Sequence, residues 1–296
     1  MLDPSREELV AESPVELHPR AIERIVAPAR VDQDPRPTIE AHGDYVFGVL
    51  LVPVGVPEED RVFYQEIDLV LTPDAAVTVR KTPPGERPFD LGPLEHACDA
   101  HGSPTSGVIA YYLVDEVAER YLEIVDLLDT EIDELEDGIE SSHSAQVRKR
   151  LSELRRDVLQ IRRTLAPTRD AVRRIIDGRV DVGEDAVFDR SLELDFAEAH
   201  DRLLRATESL DVARELIASA RDYHQAKVSQ EQNEVVKRLT VIASLLLFPT
   251  FLVGVYGQNF DHMPELHWRL GYGFSWALIV LTTVGQLAFF RWKKWI

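Results

Sequence analysis

Two uninterrupted apolar runs near the carboxyl end restrict this chain more than any other feature of its sequence. Residues 239–256 read LTVIASLLLFPTFLVGVY and residues 273–290 read GFSWALIVLTTVGQLAFF, eighteen residues each without a formal charge. A helix rises ~1.5 Å per residue and a bilayer's hydrocarbon core is ~30 Å thick, so each run meets the lower length for a membrane-spanning helix. Only sixteen residues separate the two, so the spans must form a hairpin with both ends on one side. Lys237 and Arg238 precede the first span and Arg291, Lys293 and Lys294 follow the second, whereas the connecting loop sets only Arg269 against Asp261 and Glu265. The positive-inside rule therefore predicts a multi-pass protein of the inner (plasma) membrane with both termini cytoplasmic, and Trp292 and Trp295 as interfacial anchors. The amino terminus is acidic and has no apolar segment of its own, which reads as no signal peptide.

Charge and cysteine content narrow the partners. Thirty-three Lys and Arg against 52 Asp and Glu give 33 − 52 = −19. No concentrated cationic face is expected, which excludes nucleic acid and makes divalent cations the natural partners. One cysteine, Cys98, excludes a disulfide framework and a thiolate metal cluster. His96, Cys98 and His101 stand together in EHACDAHG, read as a polar loop, but they match no ordered ligand pattern. No P-loop, GxGxxG or nucleophile elbow is present. The chain reads as a non-enzyme with no organic cofactor.

The expected fold class is an α+β cytosolic domain with long helices and two C-terminal transmembrane helices. Residues 1–105 form the α/β domain, because the runs 44–54, 63–72 and 75–80 are β-branched and aromatic, with Thr72-Pro73-Asp74 as a turn. Residues 106–184 form an antiparallel charged helical hairpin. Tyr121, Val125, Leu128, Ile132, Leu135 and Ile139 follow alternating steps of four and three, and Val147, Leu151, Leu154, Val158, Ile161 and Leu165 repeat the rhythm. Pro167 is expected to kink the second helix. Positions 115–140 hold twelve acids and one Arg, and positions 148–174 hold ten bases and three acids, so charge pairing between the two helices is expected to steer their register.

Residues 185–238 make the cytosolic part of a long stalk helix starting near 185–189, continuous with a first span at 239–256. An external loop occupies 257–272, a second span 273–290 and a basic tail 291–296. The stalk seam is Phe196, Ala199, Leu203, Ala206, Leu210, Ala213, Ile217 and Ala220. Such a narrow, alanine-rich seam invites packing against copies of the same chain. One residue out of phase with it, a second line passes through the membrane: Asn233, Val236, Thr240, Ala243, Leu247, Thr250, Gly254 and Gly257. Small and hydroxyl residues on one helix face suit either close helix packing or a polar path. A single hairpin cannot enclose a path, so a pore needs several copies around an axis.

The line ends at Tyr256-Gly257-Gln258-Asn259-Phe260, and here the chain resembles the CorA family of divalent-cation channels and transporters, whose signature at this place is YGMNF. Met263-Pro264-Glu265-Leu266, Gln232-Asn233-Glu234-Val235 and Lys237-Arg238-Leu239-Thr240 extend the resemblance. It implies a funnel-shaped homopentamer moving Mg²⁺, with Co²⁺ or Ni²⁺ as further cargo, gated by cytosolic divalent cation. Carried over by position, Gly257, Gln258 and Asn259 form the selectivity filter, with Asn259 meeting the metal. Asn233, Thr240, Ala243, Thr250 and Gly254 line the path, Val236, Leu239 and Leu247 fall at the hydrophobic gate, and Asp261 and Glu265 lie in the external loop. Glu198 falls where the family places a regulatory carboxylate, so Mg²⁺ is expected both as cargo and as regulator.

A ring of carbonyl and amide oxygens suits an ion that dehydrates reluctantly. Gln258 departs from the family's usual methionine, and Val236 and Leu247 stand where methionine is frequent. His262 and His267 beside the mouth offer softer ligands, which exposed loop histidines rarely become. Two alternatives stay open: a zinc transporter of the same superfamily with proton coupling, and a non-conducting oligomeric membrane scaffold.

Overall fold

In the computed structural model residues 1–29, 35–56, 61–180, 182, 187–258, 263 and 267–296 are described, and the chain divides into two units, Met1–Arg221 and Asp222–Ile296. The first unit opens with α1 (Arg6–Glu12) and α2 (Pro19–Val26). Ser5 accepts a bond from the Glu8 amide while the Glu8 carboxylate accepts from the Ser5 amide, a reciprocal cap that starts α1. Four antiparallel strands follow in sequential order: β1 (Thr38–His42), β2 (Tyr45–Val56), β3 (Arg61–Leu71) and β4 (Ala76–Lys81). β1 escapes a sequence reading because TIEAH is short and half polar. It is held by pairing Thr38 with Val49 and His42 with Tyr45, across a turn in which Gly43 takes φ +67°.

β2 is buried from Tyr45 to Pro53, on both faces. That explains its continuous apolar run, where a half-exposed strand would alternate. Tyr45, Phe47 and Val49 join Leu9, Ile22 and Ile25 of the first two helices in one core. Val46, Leu50 and Val52 belong to a second, larger core shared with the long helices.

Those helices are α4 (Ser106–Gly138) and α5 (Ser144–Ile176), preceded by α3 (Gly92–His101). His96, Cys98 and His101 therefore stand on a helix and not in a loop, and among the described residues no group of three or more His, Cys, Asp or Glu is placed to hold a metal. Thr105 caps α4 through the Val108 amide. The alternating seams of α4 and α5 are buried, Leu135 only in part, and α5 runs as a helix through Pro167. The charges expected to pair across this hairpin are mostly exposed among the described residues. Arg150 meets Glu131 at 2.6 Å, but most charges on both helices face outward, because the seam residues between them leave room only for flanking positions to touch.

The last long helix, α6 (Leu192–Tyr256), begins later than the sequence suggested. Before it, Val187 is buried and Phe188 packs edge-on to Phe196 at 5.4 Å. A Cβ on Gly107 would stand 2.3 Å from the Val187 carbonyl, so only glycine admits this extended approach. The stalk seam from Phe196 to Ala220 is buried in the larger core of the same chain. It does not await a second copy, since the α4–α5 hairpin offers the apolar face that alanines need for close approach.

In the second unit α6 continues through Pro249 to Tyr256, and α7 (Gly271–Trp292) follows. The two membrane runs lie within these helices, α7 extending two residues beyond its run at each end. Leu247 is 72% exposed and Leu281 71% exposed, a surface that water would disfavour and lipid or neighbouring helices would cover. Stacking of Trp295 on Phe290 and the Lys293 ammonium over Trp292 place aromatic and cationic groups together just past the second span.

Candidate ion pathway

A residue line with steps of three and four occupies one face of α6, and every member from Asn233 to Gly257 is exposed on the chain. Ten consecutive residues, 231–240, are exposed, including Asn233, Val236, Leu239 and Thr240. Val236 and Leu239 are 58% and 60% exposed, so the three positions expected at a hydrophobic gate, Leu247 among them, present apolar side chains that their own chain does not cover.

The hydroxyls on this face have a defined polarity. Thr240 donates to the Val236 carbonyl at 2.8 Å and Thr250 to the Leu246 carbonyl at 2.7 Å. A hydroxyl whose proton is spent on its own helix presents only lone pairs outward. Those lone pairs suit the protons of a cation's water shell and disfavour an anion. Near the helix end a Cβ on Gly254 would meet nothing within 4 Å, so its own chain does not require glycine there. The Gly257 amide still donates to Val253 at 2.8 Å, and Gln258 lies exposed just beyond, its amide 3.4 Å from the Val255 carbonyl. Asn259, Asp261, His262 and Glu265 lie outside the described residues. His267 is exposed with Nδ1 3.3 Å from the Met263 carbonyl oxygen.

Glu198 belongs to the first unit and is exposed in the first turns of α6. Its neighbourhood is one the sequence does not reveal: Arg202, one turn along, is ion-paired with Asp115 of α4, a contact between positions 87 apart with no local signature. Burial pushes the Asp115 carboxyl above its ordinary value; Arg202 opposes this, and Glu119, Glu116 and Glu198 add to it.

The model of the family described as CorA-like Mg²⁺ transporter protein matches residues 3–294. The cobalt/magnesium transport protein CorA of Thermotoga maritima is 26% identical over 95% of this chain and 77% of its own length. The complete structure of the CorA magnesium transporter from Methanocaldococcus jannaschii superposes with a TM-score of 0.80, at 20% identity, over 100% of this chain and 90% of that one. The cytoplasmic domain of ZntB from Vibrio parahaemolyticus superposes with a TM-score of 0.58, at 14% identity, over 76% of this chain and 83% of that one.

Proposed function

This chain belongs to the CorA family of divalent-cation transporters, and from that premise we propose that it conducts Mg²⁺ through a homopentameric pore lined by the exposed face of α6. The observation that carries the proposal is the character of that face: hydroxyls turned lone pairs outward, glycine at Gly254 with no steric reason in its own chain, and apolar rings at Val236, Leu239 and Leu247. Five copies of such a face would enclose a path wet enough for a hydrated ion and closable by dewetting at the apolar rings. Gly257, Gln258 and Asn259 form its mouth in this reading, and the basic residues flanking the spans keep both termini in the cytoplasm of an inner membrane protein. The number five and the filter roles come from the family resemblance. Uptake of Mg²⁺, Co²⁺, Ni²⁺ and Zn²⁺ into proteoliposomes, with and without a pH gradient, tests the reading: Mg²⁺ flux independent of the gradient is expected, and purified oligomer that carries no divalent cation would overturn it.

Cytosolic Mg²⁺ closes this pore, in the same reading, by bridging acids between copies. Five chains at −19 carry 5 × −19 = −95 formal charges, and adjacent domains repel unless cations lie between them. Glu198 is exposed, and among the described residues one chain supplies no three-ligand cluster around it, so a regulatory ion there takes its remaining ligands from a second copy. Mg²⁺ is expected to protect the wild-type protein from limited proteolysis, and Glu198→Ala to require roughly ten-fold more Mg²⁺ for equal protection. Wild-type cleavage that ignores Mg²⁺ would remove the gating mechanism, and an unshifted variant would remove Glu198 from it.

A further inference from the structure

The charges of the helical hairpin repeat in sevens and face away from its seam. On α4 and the turn that follows it, Glu119, Asp126, Asp133 and Glu140 are spaced by seven and all exposed, each of the last three directly following a buried seam residue: Val125, Ile132 or Ile139. On α5, Arg148, Arg155 and Arg162 repeat by seven, as do Lys149, Arg156 and Arg163, and all six are exposed. Seven residues bring a helix back to within ~20° of the same direction, so each series is a nearly straight stripe.

The chain does little to neutralise either stripe. Lys149 reaches Glu153 at 3.6 Å on its own helix and Arg162 reaches Asp211 of α6 at 2.9 Å. Among the described residues Arg148, Arg155, Arg156 and Arg163 have no ion pair, and neither do Glu119, Asp126 and Asp133. Asp129, between the last two acids, is held above its ordinary value by burial and then by Asp126 and Asp133, the mark of crowded acids without a nearby cation. Each face also exposes a leucine beside its charges: Leu127, 54% exposed, next to Asp126, and Leu159, 43% exposed, among the arginines.

We propose that the acidic face of α4 in one copy docks on the basic face of α5 in the next, head to tail around the assembly. The two faces are complementary in sign and repeat, and each carries an apolar contact of its own. With each copy giving its acidic face to one neighbour and its basic face to the other, the contact is heterologous and generates a ring where its rotation closes. This partner assignment rests on the oligomeric reading above and adds to it the surface that selects and orients neighbours. Such charge pairing acts strongly on encounter and register, and weakens with salt.

The test uses full-length protein in a Cys98→Ser background. Glu119→Cys, Asp126→Cys and Asp133→Cys variants bearing one tag are each co-expressed with Arg148→Cys, Arg155→Cys or Arg163→Cys variants bearing another, and treated with a short bis-maleimide. A cross-linked species carrying both tags is expected for at least one acidic–basic combination, and can only join different copies. Arg155→Glu combined with Arg156→Glu is expected to weaken assembly about ten-fold at low salt by native mass spectrometry, and less at high salt. Co-purification of both tags without any two-tag product would overturn the inference while leaving the oligomer standing. So would cross-linked dimers that carry only the acidic-variant tag, with no two-tag product beside them. Reversal of the arginines that abolishes binding to vesicles of anionic lipid but leaves assembly unchanged would assign the basic face to headgroups instead. Absence of any oligomer would overturn the pore reading itself.

Discussion

Replacing Asn259 with alanine is expected to lower Mg²⁺ uptake into proteoliposomes by about 100-fold while leaving insertion and assembly unchanged. Mg²⁺ holds its inner water shell tightly, so a filter for it must grip those waters and not strip them. The proposed filter takes an amide oxygen from Asn259 and the backbone of Gly257 in each copy. A hydrogen bond to a charged partner contributes about 1.5–3 kcal/mol, and 100-fold in rate corresponds to about 2.7 kcal/mol, so a net transition-state loss worth a single such bond accounts for a drop of that size. Truncation to alanine removes the acceptor without adding bulk or charge, and the apolar spans 239–256 and 273–290 still insert by composition. Asn259→Asp is the informative companion: it keeps an oxygen ring but adds a charge per copy, and should bind Mg²⁺ more tightly while releasing it more slowly. Native mass spectrometry establishes assembly beside the flux assay. A normally assembled Asn259→Ala protein with wild-type flux would remove the proposed filter.

The parts of the fold legible in sequence are those written by period. Seams such as Tyr121, Val125, Leu128 and Ile132 on α4, or Phe196, Ala199 and Leu203 on α6, follow helical spacing and are buried in the structure. The strands with long apolar runs, β2 and β3, were equally legible, whereas β1 was not, because its five residues are held by pairing to Val49 and Tyr45 and not by their own pattern. The destination of a seam is less legible than its existence. Alanines spaced along the stalk announce close packing, but whether the partner is a second copy or the chain's own hairpin depends on contacts between positions far apart. The same holds for charge: twelve acids against ten bases suggested pairing across the α4–α5 turn, while the structure turns most of both sets outward. At the pathway, the line from Asn233 to Gly257 could be read from spacing, yet the orientation of the Thr240 and Thr250 hydroxyls could not, since a hydroxyl's donor choice is set by the carbonyl one turn back. The Arg202–Asp115 pair beside Glu198 left no sequence signal at all.

A second large effect is expected deep in the sheet, where Lys81→Met should destabilise the protein by about 3–5 kcal/mol at neutral pH. Lys81 is buried with its Nζ 2.7 Å from Glu66 Oε1 and 2.8 Å from Asp68 Oδ2, and it donates to the Arg24 carbonyl at 2.8 Å. Two carboxylates thus share one ammonium, and removing it leaves Glu66 without its cation and forces Asp68 to take up a proton. The site lies deep in the sheet, where Asp68 and Val79 are paired and fully buried. Even with Lys81 present the cluster carries one surplus negative charge when fully ionised. Neither oxygen of Asp68 has a well-oriented hydrogen bond, and burial, then Glu66, raise its carboxyl to about 7 against the opposing pull of Lys81 and Arg24. The folded value lies above the unfolded one, so this group's stability is fully present below about pH 4 and is lost as pH rises toward 7. Asp68→Asn, of nearly the same shape, cannot ionise and leaves a neutral Lys81–Glu66 pair. The expected result is a variant more stable than wild type at pH 8, with the difference shrinking as pH falls. Thermal unfolding of the full chain in detergent across pH 4–8, for wild type and Asp68→Asn, provides the measurement. A variant less stable than wild type at pH 8 would mean that the fold depends on the Asp68 charge, contrary to the burial argument.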